Sequence, residues 1–175
     1  NSLSDIQNSD DLDNMIEMLF NDANTDYTIK EIHNYTMALP KEYWGSGSYD
    51  KWIRVCWALK NTNEKLVLTW LKFCSQIDDF DFANNDVLYT WEEGELNDSD
   101  GYTFKSIIYW CKTSNPDEYK NIYNKTVDYY IYYSFRNNTE CDLANTLFQM
   151  YKSQYVCASI GNNTWYEFKN NRWEI

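Results

Sequence analysis

The sequence predicts a mainly α protein: a helical bundle of about seven or eight helices, with a short C-terminal β-hairpin. Three observations carry that reading. Between residues 9 and 152, apolar side chains recur three and four apart, separated by cap and turn residues. Beyond residue 154 the period drops to two, around Gly161-Asn162-Asn163. Finally, 8 Trp, 16 Tyr and 8 Phe among 175 residues supply a core that needs neither metal nor disulfide.

The elements follow in order. Ser9 is the expected cap of a first helix, about Asp10 to Phe20, with Leu12, Ile16, Leu19 and Phe20 on one face. Thr28-Ile29-Lys30-Glu31 fits a capping box for a second helix ending near Ala38. Leu39-Pro40 and Gly45-Ser46-Gly47-Ser48 mark a loop, and Ser48 can cap a third helix, Tyr49 to Lys60. Asn61-Thr62-Asn63 breaks it before a fourth helix, Glu64 to Gln76. A fifth is expected from Phe82 to Glu92, then an acidic loop over 94–102, then a sixth helix, Phe104 to Thr113, capped by Thr103. Pro116 opens a long seventh helix to about Phe135. Thr139 caps an eighth, Glu140 to Lys152. Strands are expected at Tyr155 to Ile160 and Thr164 to Phe168, with a turn at Asn170-Asn171 and a third strand from Arg172 to Ile175. The pattern divides the chain into an acidic leader and helix (1–27), a helical body (28–136) and the beginning of another unit (137–175). An aromatic hairpin with an open edge is a pairing liability, so the chain is expected to continue past it in a longer protein.

Net charge is −12, which argues against a nucleic-acid partner until its distribution is considered. Residues 1–29 hold seven acids and residues 78–100 hold nine, with no Lys or Arg in either. Without those 16 carboxylates the remainder has 11 acids against 15 bases, a net of +4. A mildly basic body permits a nucleic-acid contact without demonstrating one. No apolar run approaches the roughly 20 residues that cross a bilayer, and no secretory signal pattern is present. The odd set Cys56, Cys74, Cys111, Cys141 and Cys157 contains no CxxC and reads as reduced thiols, mostly in the core. Sequons at Asn34, Asn97, Asn124, Asn137 and Asn162 are of chance frequency in so Asn-rich a chain.

Catalytic constellations are sparse. Asp79-Phe80-Asp81 could bind Mg²⁺ if it lay on a strand, but here it reads as a loop entering a helix. His33, the single histidine, has no ligand cluster around it and reads as an ordinary helix-surface residue. There is no phosphate-binding Gly-rich loop. Tyr129, Tyr130, Tyr132 and Tyr133, with Ile131 among them, could stack bases, or more simply form core with a snorkelling flank. On the third helix Tyr49, Trp52, Ile53, Cys56 and Leu59 share an expected buried face. Lys51 and Arg54 lie opposite, with Trp57 on the flank beside Arg54 and Lys60 at the end. On the sixth, Phe104, Ile107, Ile108 and Cys111 point inward and Lys105, Tyr109 and Lys112 outward. Aromatic beside basic is a pairing that holds a base and its phosphate. A helix–helix interface on the third helix and a plain solvated face on the sixth are the competing readings.

The same residues carry a family resemblance. Tyr49-Asp50-Lys51-Trp52-Ile53-Arg54-Val55 with Ala58-Leu59-Lys60 resembles the opening signature of the type 2 primase C-terminal helical domain. Leu68-x-Trp70-x-x-Phe73-x-Ser75, then Trp91, then Gly101 to Lys112 ending in Trp110-Cys111-Lys112, then Asn115-Pro116, recur in the family's order. Asp142-Leu143-Ala144 through Trp165-Tyr166-x-Phe168 to Arg172-Trp173 is similar to the start of the D5-type region that precedes the helicase in primase–helicases of large DNA viruses. One departure stands out: Cys56-Trp57 replaces an expected pair of small residues.

The resemblance implies a noncatalytic middle domain lying between a primase domain and a superfamily 3 helicase, and an intracellular location in a viral factory or nucleus. It also implies that the signature residues Tyr49, Trp52, Leu59, Trp70, Trp91, Trp110, Trp165 and Trp173 are structural. No cofactor is expected here, ATP and Mg²⁺ belonging to the flanking catalytic domains. The expected partners are single-stranded DNA or primer–template, held through Lys51, Arg54, Trp57, Lys60, Lys105 and Lys112, together with the flanking domains and further copies in a homo-oligomer. No membrane partner is expected. The rival reading is a protein-interaction or oligomerisation spacer that touches no nucleic acid.

Overall fold

The computed structural model describes residues 3–84, 86–93, 101–152, 154–169 and 172–175. The acidic loop over 94–100, with its Asn97 sequon, the Asn170-Asn171 turn and the first two residues of the leader lie outside the described residues. Among those described, the chain is mainly helical with a three-stranded antiparallel sheet, and it divides into two compact units, Asn1–Ile122 and Tyr123–Ile175.

The first unit holds α1 (Ser9–Asn21), α2 (Tyr27–Met37), α3 (Tyr49–Lys60), α4 (Val67–Cys74), α5 (Asp86–Glu93), α6 (Phe104–Ser114) and the opening turns of α7 (Pro116–Asn137). Helix positions match the periodicity, but several starts are corrected. Asn8, not Ser9, caps α1: its side chain accepts from Asp11 N, and Asp10 and Asp11 then sit in the first turn where the helix dipole favours them. At α2 the Thr28–Glu31 box does not form. Asp26 accepts both the Thr28 amide (2.8 Å) and the Thr28 hydroxyl (2.7 Å). A carboxylate two residues upstream is the stronger acceptor, and Glu31 is buried instead. Ser48 precedes α3 without a side-chain cap bond.

The fourth helix enters through a 3-10 turn, Glu64–Leu66, because the Asn63 side chain accepts from Lys65 N at 2.9 Å. Phe82 does not start α5. Asp81 accepts from Ala83 N (2.9 Å) and Asn84 from Asp86 N (3.0 Å), two Asx turns that delay the helix to Asp86. Phe80 and Phe82 meet edge to face at 4.9 Å and pack against the cluster made by α1 and α4. At α6 Thr103 is the cap residue as expected: its amide donates to Ser106 Oγ at 3.3 Å, and Ser106 N donates to the Thr103 carbonyl at 2.8 Å.

The core of this unit is mostly apolar. Trp70 is fully buried, its ring 4.7 Å from Trp52, and its indole N–H donates to Val87 O at 3.0 Å. Ile32, Tyr35, Leu59, Phe73 and Ile107 surround the same centre. Helix α1 seats Leu12 and Ile16 against Leu68 and Leu71 of α4, and Lys72 Nζ lies 2.6 Å from Asp13.

The second unit comprises the later turns of α7, then α8 (Glu140–Tyr151), β1 (Tyr155–Ser159), β2 (Thr164–Lys169) and β3 (Arg172–Glu174), paired in the order β1-β2-β3. Thr139 caps α8 as expected. Register is fixed by Val156 opposite Tyr166 and Phe168 opposite Trp173. Asn163 takes φ 52° in the connecting turn, a conformation Asn tolerates. Helix α8 is tied to α7 by Thr146 Oγ1 donating to Tyr130 O (2.9 Å) and Tyr123 Oη donating to Met150 O (2.7 Å). The Tyr run is only half packed: Tyr129 and Tyr130 are half-buried, whereas Tyr132 is 64% exposed and Tyr133 is exposed as well. Few large apolar side chains are enclosed among the described residues of this unit.

Candidate nucleic-acid interface

Helices α3 and α6 pack against each other, and the segment leading into α6 returns to the end of α3. The carbonyl of Tyr102 accepts from Asn61 Nδ2 (3.0 Å), and the Phe104 amide donates to Thr62 Oγ1 (2.9 Å). These two bonds, at sequence separations above 40, bring Tyr102 to the flank of α3. There the Trp57 and Tyr102 rings lie within 15° of parallel at 6.4 Å, and the Arg54 guanidinium stands over the Tyr102 ring at 5.8 Å.

The aromatic contacts continue. Tyr102 meets Trp110 of α6 at 5.5 Å, and Trp110 meets Tyr43 at 5.9 Å. Lys51 Nζ sits 4.9 Å over the Tyr43 ring and 3.3 Å from Glu42. The result is a ladder of four rings, Trp57, Tyr102, Trp110 and Tyr43, with a cation over each of two rungs. Burial, with the Glu42 charge behind it, holds the Tyr43 phenol above its usual range, so it stays neutral beneath Lys51.

Of the six sequence candidates, Arg54, Trp57 and Lys51 thus join one surface. Lys60 is turned aside, its Nζ donating to Glu92 O at 3.0 Å. Lys112 leans over Tyr119 at 5.6 Å, outside the ladder. Lys105 is exposed and has no ion-pair or ring partner among the described residues. The inward face of α6 is as expected, with Ile107 and Cys111 fully buried. That of α3 is corrected at one end. Cys56 and Leu59 are buried, joined by Val55 and Ala58, but Tyr49 is 67% exposed. It sits at the first residue of the helix, where its ring leans on Trp52 instead of reaching the core. Among the remaining signature residues Trp91 is buried, Trp110 half-buried, and Trp165 and Trp173 are exposed.

Periodicity missed Tyr102 and Tyr43 as site residues. For Tyr102 one local signal existed. It precedes the Thr103 cap, the position from which a hydrophobic staple packs back on the protein.

His33 also departs from expectation. It is not a surface residue: its Nδ1 lies 3.0 Å from Thr69 Oγ1, and the Phe20 ring meets it edge-on at 5.1 Å. Burial, with Lys72 nearby, pulls its pKa down to about 4. A neutral imidazole hydrogen-bonded to a threonine is a packing element here. Burial pushes the Cys56 thiol up to about 12 and Cys111 to about 11, so neither supplies a thiolate nucleophile at neutral pH. All five cysteines are free, with Cys141 exposed and Cys157 half-buried, outside the expected core. Asp78, Asp79 and Asp81 lie exposed in the loop before α5, not on a strand. Among the described residues no group of three or more His, Cys, Asp or Glu is placed to hold a metal ion, and no helix is long and apolar enough to cross a membrane.

Residues 32–111 match the family model Primase C terminal 2 (PriCT-2). The matched stretch runs from Ile32 of α2 to Cys111 of α6, and so contains every rung of the ladder. The chain is also similar to a candidate helicase, L207/L206, of Acanthamoeba polyphaga mimivirus, at 29% identity over 125 residues. That alignment covers 71% of this chain and 13% of the relative, so the chain spans a small part of the relative's length. The two matches together support a role in replication proteins of the primase–helicase type. The stretch that presents the ring ladder, residues 32–111, is thus the part of the chain that is similar to the PriCT-2 family.

Proposed function

We propose that this chain is a noncatalytic middle segment of a viral DNA primase–helicase, which holds template or primer single strand on the α3–α6 face and couples the primase to the helicase. The observation that carries the reading is the ring ladder with Arg54 and Lys51 over its rungs. Rings offer π faces to bases of any sequence, and guanidinium and ammonium groups neutralise phosphates. Trp57, Tyr102 and Trp110 are each part-exposed, so the edge of the ladder is reachable from solvent. The acidic leader helix packs on α4 and α2, and its carboxylates would repel misplaced DNA. ATP and Mg²⁺ belong in this reading to flanking primase and helicase domains. Among the described residues no group of three or more His, Cys, Asp or Glu is placed to hold a metal ion.

The test is titration of labelled single-stranded DNA with the chain at several salt concentrations. Affinity is expected to fall linearly in log–log form, with a slope near −0.7 per phosphate contacted. Charge reversal at Lys51 and Arg54 should flatten that slope. Absence of binding at low salt, or a slope unchanged by both reversals, removes the strand-holding role.

A second reading rests on the Tyr123–Ile175 unit, where Phe135, Leu143, Leu147 and Phe148 of its helices are exposed. Apolar surface of that kind suits a protein-interaction or oligomerisation spacer. Concentration-dependent assembly without any DNA shift favours it.

A further inference from the structure

Of the three contacts that make the ring ladder, Trp57–Tyr102 is the loosest. Its centroids are 6.4 Å apart, against 5.5 Å for Tyr102–Trp110 and 4.7 Å for Trp52–Trp70 in the core nearby. Aromatic pairs hold contact only to about 7 Å, so this pair loses little when another flat ring displaces it. The planes are within 15° of parallel. Bases stack about 3.4 Å apart, and near-parallel planes are the arrangement that can face both sides of one base once the rings part to admit it.

Both rings are held from behind. Trp57 projects from a helix whose Val55, Cys56, Ala58 and Leu59 are fully buried. Tyr102 is pinned by Asn61 at its carbonyl and by Thr62 at the Phe104 amide, and the Thr62 hydroxyl itself donates to Ala58 O at 2.7 Å. Asn61 and Thr62 therefore act as positioning residues, fixing the ring in advance of any ligand. Arg54, one turn before Trp57, is exposed and has no carboxylate within ion-pair reach among the described residues.

We infer that Trp57 and Tyr102 clamp one unstacked base of a DNA strand, with Arg54 on the phosphate beside it. This rests on the strand-holding reading and deepens it: the ligand is a splayed base, so single strand is preferred to duplex, whose bases must first be unstacked. Trp57 is then a reader of base faces and not a plug that fills a groove.

The experiment uses the 175-residue chain and three fluorescent probes of equal length: oligo-dT, the same oligomer carrying abasic sites, and a duplex. Wild type is expected to bind oligo-dT about 5- to 150-fold more tightly than the abasic oligomer, the range for losing one base–aromatic stack. Trp57→Ala should collapse that ratio towards one and Trp57→Phe should restore most of it. Tyr102→Leu gives an independent second reading should Trp57→Ala fail to fold by thermal melting. Equal wild-type affinity for oligo-dT and the abasic oligomer overturns the clamp while leaving the strand-holding role standing if binding still falls with salt. Tighter oligo-dT binding by Trp57→Ala also overturns it, because the indole would then be obstructing a groove. Failure to bind any probe overturns both readings together.

Discussion

Trp70 and Trp165 are the same side chain put to opposite uses. Trp70, in Asn1–Ile122, is fully buried, and its N–H reaches across 17 residues to Val87 O. Trp165, in Tyr123–Ile175, is 50% exposed, and its N–H bonds only to Asn163, two residues away. The contrast extends through each unit. In the first, Leu12, Tyr35, Leu59, Phe73 and Ile107 are enclosed. In the second, Phe135 is 83% and Phe148 61% exposed, and the buried side chains include the threonines Thr126 and Thr146. One unit is held by long-range apolar packing. The other is held largely by secondary structure, strand pairing and a few tertiary hydrogen bonds.

The largest effect that can break this contrast is a truncation in the first core. Trp70→Ala should cost about 3–5 kcal/mol, the range for deleting a buried aromatic. Urea unfolding of the purified variant measures it. A loss near that of a surface change would mean the first unit is not organised around this ring.

The next effect is a pH dependence confined to the first unit. The folded pKa of His33 is about 4, below its ordinary 6.5. The unfolded chain therefore takes up a proton first as pH falls, and stability present above pH 6.5 is lost on the way to pH 4. At most about 3 kcal/mol is at stake from the shift, and less because the ring is only part-buried. Phe20, Thr69, Lys72 and Asp13 face the imidazole, and Asp13 tempers the loss by favouring the cation. His33→Gln should flatten the pH dependence of unfolding between 6.5 and 4. An unchanged slope would place its origin in the carboxylates.

Much of this architecture was legible because helix periodicity is local. The limits of α3, α6 and α8 came within a residue or two, since Thr103 and Thr139 offered caps with no stronger acceptor beside them. Where two acceptors competed, at Ser9 against Asn8 and at Thr28 against Asp26, spacing alone could not rank them. At the candidate site the basic and aromatic flank of α3 was readable from its own spacing. The ladder was not, because Tyr102 reaches Trp57 through hydrogen bonds to Asn61 and Thr62 that no local pattern encodes. His33 failed for the same reason: its partners Phe20 and Thr69 come from other helices.

The smaller effects sharpen the picture of the second unit. Thr139 accepts from Asp142 N at the start of α8, and Thr139→Ala should remove about 1 kcal/mol. With so little enclosed apolar surface, that loss should register as faster amide exchange in α8 and the adjoining strand β1 more than as a change in global unfolding. Phe148→Ser is the last and smallest. An exposed ring deleted from a free surface changes stability by no more than about 0.5 kcal/mol, and the unfolding midpoint of the isolated chain should hardly move. A loss of 2 kcal/mol or more at Phe148 would mean that its ring is covered in solution. Repeating the measurement at two protein concentrations identifies a second copy as the cover, because stabilisation by a partner chain follows mass action and packing within one chain does not.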